Sequence, residues 1–156
     1  MTNSPFHSTP QDTLPALDLE AMNAFLEIEF PQAIGPDKPY SIVRVGYGDA
    51  KLVLSATEND LRPGGTLSGP SLMTAADLAA YVCVLSMIGK VALAVTTNLN
   101  INFLRKPPLS DLACEARPLK VGKSLIVVET ALYSNDDPDK SLVAHATLTY
   151  SVPPQK

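Results

Sequence analysis

Asp77 is the one charge within residues 70–89, a stretch otherwise dominated by Ala, Leu, Val, Met and Ile. A carboxylate in such company is costly unless it is paired, hydrogen-bonded or turned to a wet cavity. It reads in two ways: as an acid satisfied by hydroxyls such as those of Thr74 or Tyr81, or as a catalytic base or nucleophile. Ser68-Gly69-Pro70 opens the same stretch. Pro70 suits a first helical position and Gly89 a helix stop, so the segment reads as one buried helix. Its N-terminus offers unpaired backbone N–H groups and a partial positive charge, suited to a carbonyl oxygen becoming an oxyanion. Pro70 has no N–H, which leaves Gly69 as the natural donor, with no side chain to obstruct a close approach. The eight residues from Gly69 to Asp77 span about 12 Å of helix. One helix therefore cannot bring both groups to a single carbonyl, whereas two antiparallel copies across a twofold axis can. The chemistry calls for a homodimer.

The elements that must position these groups are legible as patterns. Residues 18–30 are amphipathic, with Leu19, Met22, Phe25 and Leu26 on one face and Asp18 placed to cap a helix. Residues 40–47 and 50–57 alternate at period two about Gly48-Asp49, a hairpin signal. A turn-rich loop, 58–67, leads into the apolar helix. Strand-like segments follow at 91–104, 112–121, 124–133 and 141–152, separated by Pro, Gly, Asn and Asp. Mostly sequential strands with one embedded helix predict an α+β fold, an antiparallel sheet wrapped around that helix. The exposed sheet edges again favour a symmetric dimer, or a dimer of dimers.

At 156 residues the chain fits one domain, read as 18–156 after a flexible N-terminal arm, 1–17, rich in Pro, Ser and Thr. Twelve basic and 16 acidic residues leave a net charge of −4 and no electrostatic case for nucleic acid or an anionic membrane as partner. The apolar helix is long enough to raise the question of a membrane span, but Asp77 near its centre argues for a core helix. Cys83 and Cys114 read as buried small hydrophobes, consistent with a cytoplasmic location, and His7 and His145 lie apart, so no metal site is expected.

Three stretches, 64–77 (GGTLSGPSLMTAAD), 96–104 (TTNLNINFL) and 121–129 (VGKSLIVVE), resemble the hotdog-fold acyl-CoA thioesterases of the phenylacetate-pathway, or PaaI-like, branch. The resemblance covers most of the chain. It implies hydrolysis of a coenzyme A thioester, with no cofactor beyond the coenzyme A of the substrate, and Asp77 at the position of the family's catalytic acid. Ser68-Gly69-Pro70 occupies the family's His-Gly-Gly positions, so Ser68 replaces the usual His and Pro70 the second Gly. Arg62 falls where some members carry a thioester- or water-binding Asn, and Thr96 aligns with a water-positioning Ser or Thr. Gly64-Gly65 lies too far from Asp77 to be that glycine pair and reads as a loop former. Arg105, Lys106 and Lys123 are candidates to hold the coenzyme A phosphates. Leu72, Met73 and Tyr81 are candidates to line the acyl pocket. The missing His keeps open a non-catalytic ligand-binding hotdog protein, and a hotdog hydratase stands behind that. Asn98, Asn100 and Asn102 share one strand face and read as an outer surface.

Overall fold

The computed structural model describes Phe6 and residues 12–155, so residues 1–5 and 7–11 of the expected arm lie outside the described residues. The described end of that arm is packed: the Ala16 N–H donates to the Ser86 carbonyl at 2.7 Å, and Leu17 is buried. Helix α1, Leu19–Glu29, begins where Asp18 accepts from the Ala21 N–H at 2.9 Å, and it buries Met22 and Leu26. Strands β1, Tyr40–Gly46, and β2, Asp49–Leu54, form the expected hairpin. The turn sits one residue earlier than the pattern suggests, because Gly46 pairs with Asp49 and leaves Tyr47-Gly48 as the loop. Residues 58–67 hold a single helical turn, Glu58–Asp60, closed by a Thr57–Asp60 capping box, and then a short hairpin of β3, Leu61–Arg62, and β4, Thr66–Leu67.

Helix α2 runs Gly69–Ile88, with Ser68 as its cap and Gly89, at φ +86°, as its left-handed stop. It is apolar nearly all round, and it is buried accordingly. Strands β5, Val95–Phe103, β6, Leu112–Val121, β7, Leu125–Ser134, and β8, Leu142–Ser151, complete a six-stranded antiparallel sheet in the order β1-β2-β6-β7-β8-β5. The sheet curls around α2, and the two share one core of Leu, Ile, Val and Ala side chains. The length and hydropathy of α2 would also suit a bilayer, but here its apolar surface is taken up by the sheet.

Strand β5 starts later than the sequence suggests. Residues 91–94 turn back on themselves through an Ala94 N–H to Val91 carbonyl bond, and the Tyr81 hydroxyl ties that turn to α2 by donating to the Ala92 carbonyl at 2.8 Å. The strand is an edge strand, bonded only to β8. It carries a bulge, because Thr96 pairs with Tyr150 and Asn98 with Thr149, so Thr97 is the extra residue. The bulge changes which face each parity takes. Thr96 points toward α2, and so do Leu99 and Ile101 beyond the bulge, while Asn98, Asn100 and Asn102 face out.

Candidate active site

Asp77 sits midway along α2, half-buried, and lines a cleft of about 320 Å³. One carboxylate oxygen, Oδ1, accepts from the Thr96 hydroxyl at 2.6 Å and from the Tyr150 hydroxyl at 2.7 Å. The same Tyr150 hydroxyl lies 2.8 Å from the Asp77 backbone carbonyl. Among the described residues none donates to Oδ2, and no cation pairs with the carboxylate. The satisfying hydroxyls are therefore those of Thr96 and Tyr150. The two alternatives in the sequence are engaged elsewhere, Thr74 with the Pro70 carbonyl and Tyr81 with the Ala92 carbonyl.

The cleft runs along α2 from Thr74 past Asp77 and Leu78 to Tyr81, walled by the end of α1 and by Tyr150. Phe30 meets Tyr81 edge-on with ring centroids 6.4 Å apart, and Tyr81 stacks on Tyr150 at 6.1 Å. Burial, followed by the Asp77 charge, pushes the Tyr150 phenol well above its ordinary value, so it stays protonated as a donor. Burial, and secondarily Glu29, raises Tyr81 in the same direction. Of the residues expected to line the acyl pocket, Tyr81 does so. Leu72 is instead buried in the core, and Met73 is on the surface outside the cleft, because successive helical positions turn by about 100° and only one stripe of α2 faces the cleft.

Gly69 lies elsewhere in the chain. A Cβ built on it would come within 3.2 Å of the Phe103 ring, so the start of α2 packs against the far end of β5 from Thr96. No described residue accepts from the Gly69 N–H, as expected of a first-turn amide. The Ser68 hydroxyl is occupied as the helix cap: it accepts from the Ser71 N–H at 3.3 Å and contacts the Ser71 hydroxyl, which donates to Asp60 at 2.8 Å. Arg62 is exposed on the β3–β4 hairpin. Arg105 donates to the Leu142 carbonyl, and with Lys106 it follows the Phe103 end of β5. Lys123 sits in the β6–β7 turn, next to the Val95 end, where Leu125 and Val95 both pair with Ser151. The eight-residue step from Val95 to Phe103 is about 26 Å of strand. One chain thus unites Asp77 with Thr96, and it separates Gly69, Arg105 and Lys106 from both Asp77 and Lys123.

Tyr150 is the site residue the sequence reading missed. Its signal is a tyrosine closing the inward run Ala144, Ala146, Leu148, where a buried phenol needs a hydrogen-bond partner.

Residues 64–141 match the thioesterase superfamily model. A protein of Saccharolobus solfataricus named as an esterase, SSO1253, is 33% identical over 105 residues, covering 67% of each chain. A Silicibacter sp. TM1040 protein described as a thioesterase is 41% identical in its solved structure, with a TM-score of 0.80 over 92% of this chain and 97% of that one. A Ralstonia eutropha JMP134 structure, described as a thioesterase and phenylacetic acid degradation-related protein, is 27% identical, with a TM-score of 0.69 over 82% of this chain and 98% of that one. With its helix-wrapping antiparallel sheet, this chain belongs to the thioesterase superfamily, as a hotdog-fold thioester hydrolase of the PaaI-like kind.

Proposed function

We propose that the protein hydrolyses acyl-CoA thioesters, with Asp77 acting on the thioester carbonyl as general base toward water or as nucleophile. One observation carries this reading. Asp77 is held by two neutral hydroxyls on one oxygen, while among the described residues the other accepts no bond, beside an apolar, aromatic-walled cleft. A carboxylate so held meets no counter-charge from those residues and keeps an accessible lone pair. The cleft's Phe30, Leu78, Tyr81 and Tyr150 suit an apolar acyl group.

The oxyanion donor is the Gly69 N–H of a second subunit. Thr96 and Phe103 are seven residues apart along β5, about 23 Å. Pairing β5 antiparallel with its twin, the twofold passing near the middle of the strand, sets the Thr96 end of one copy against the Phe103 end of the other. Since Asp77 belongs to the first end and Gly69 to the second, that pairing gathers both at each of two sites. The exposed apolar side chains along this edge, Val95, Phe103 and Leu104, support it as the contact surface. The same pairing draws Lys123 of one subunit toward Arg105 and Lys106 of the other, where they would meet the coenzyme A phosphates. Neutralising all three should raise KM with kcat little changed, and the rise should shrink with added salt. An unchanged KM would place the nucleotide elsewhere.

The test of the site is complementation. Asp77→Asn and Gly69→Pro homodimers should each be inactive, the second provided its fold is verified, since Phe103 must swing aside. Random mixing makes about half the dimers hybrid, each with one intact site, so roughly a quarter of the original activity should return. Inactive hybrids of verified composition would overturn the shared site, and a monomer by light scattering would do so more directly. Full activity in Asp77→Asn would overturn the base itself.

A further inference from the structure

We propose that Tyr150 is a positioning residue for the Asp77 carboxylate, pinning Oδ1 together with Thr96 so that Oδ2 faces the cleft. The inference rests on Asp77 being the reacting carboxylate. Left to itself, a carboxylate in mid-helix turns about its last torsion, whose broad preference makes both oxygens equivalent. Here the symmetry is broken, because two hydroxyls converge on one oxygen at 2.6 and 2.7 Å. They arrive from facing positions in adjacent strands, since Thr96 and Tyr150 are register partners between β5 and β8. The bulge at Thr97 is what lets Thr96 occupy that position while the asparagines beyond it face out.

Tyr150 suits this role better than a flexible donor would. Its ring is nearly fully buried and stacks on Tyr81, which is itself tied to the Ala92 carbonyl, so the hydroxyl stands on a rigid support. Its second acceptor is the Asp77 backbone carbonyl at 2.8 Å, which anchors the phenol to the same residue whose side chain it orients. Both donors are neutral. They fix the geometry of the carboxylate without cancelling the charge that the chemistry uses, as an arginine would do.

Tyr150→Phe keeps the ring and its stacking and removes the hydroxyl alone. Hydrolysis is read by thiol release from a panel of acetyl-, hexanoyl-, palmitoyl- and phenylacetyl-CoA, with Asp77→Asn run in parallel. In Tyr150→Phe, kcat on the best substrate should fall roughly tenfold or more, the worth of a hydrogen bond to a charged group, with KM within about twofold. Replacing Tyr150 with 4-aminophenylalanine returns a donor at the same place and, assayed at neutral pH where the aniline is uncharged, should restore kcat. If Tyr150→Phe does not fold, that second variant alone decides: recovery of kcat supports the role, and a folded protein as inactive as Asp77→Asn overturns it. A Tyr150→Phe enzyme with unchanged kcat, beside an inactive Asp77→Asn, overturns the positioning role and leaves the base standing. An active Asp77→Asn removes the base reading instead.

Discussion

Two acids are taken out of water in this fold, Asp77 on the helix side and Glu115 on the other face of the sheet. They are treated in opposite ways. Glu115 is fully buried, and its neighbours Cys114 and Ala116 turn inward to the core while it turns outward. The Arg44 guanidinium bonds its Oε1 at 2.7 Å, and the Tyr133 hydroxyl donates to its Oε2 at 3.0 Å. Arg44 also grips Asp49 with two bonds of 2.8 Å, while Lys51 and Lys140 lie over the Tyr133 ring. Both oxygens of Glu115 are used and its charge is cancelled. Among the described residues Asp77 meets no cation, and none donates to its second oxygen. The two carboxylates therefore differ in counter-charge as well as in burial: Glu115 is fully buried and paired, Asp77 half-buried and held by neutral hydroxyls alone among the described residues.

Paired amide substitutions test that distinction at its largest. Asp77→Asn should lower kcat about a hundredfold or more while the melting temperature moves by only about 2 °C. Glu115→Gln should do the reverse. It leaves the Arg44 charge partly buried with Asp49 as its remaining partner, at a cost of about 3 kcal/mol. For a chain of this size that lowers the melting temperature by roughly 6–12 °C. Below the new transition, thioester hydrolysis should stay within about twofold of the original. A Glu115→Gln protein that is fully stable, or one that is folded but inactive, would break the contrast.

Much of this arrangement can be read from the sequence, and what cannot has a physical reason. The α2 limits follow from Pro70 and Gly89 to within one residue, since the helix starts at Gly69 and Pro70 is its second position, and the separation of Gly69 from Asp77 follows from helical rise alone. The placement of Thr96 does not. Strict alternation gives it the parity of Asn98, Asn100 and Asn102, the outer face, and only the bulge at Thr97 turns it toward Asp77. A bulge leaves no mark on composition or period. Tyr150 is hidden for a different reason, since its partner lies 73 residues away in sequence and contact between β8 and α2 depends on the sheet's order. Sheet order also explains Lys123. Sequence neighbours suggest nothing about which end of β5 the β6–β7 turn will meet, and the register sets it at the Val95 end, away from Arg105 and Lys106.

Glu129 offers a smaller test of the same rule, because it is another acid paired with charge on the outer face. Arg117 donates to its Oε1, and His145 lies 3.1 Å from its Oε2. Burial works to raise its carboxyl, but the bonds to Arg117 and His145 outweigh it and hold the group below the ordinary 4.5. Its depressed value in the folded state means the unfolded chain binds the proton more readily. The stabilisation is therefore complete above the unfolded value, near 4.5, and drains away as pH falls through the lower folded value. With Arg117 well exposed to solvent, the amount is under about 1 kcal/mol. Glu129→Gln should melt slightly below the original protein at pH 7, and the gap should close as pH drops from about 5 toward 3. Thioester hydrolysis at pH 7 should be unchanged, since the pair lies across the sheet from α2. A gap that stays constant over that range would show that the ionised carboxylate contributes nothing there, and would confine the rule to Glu115.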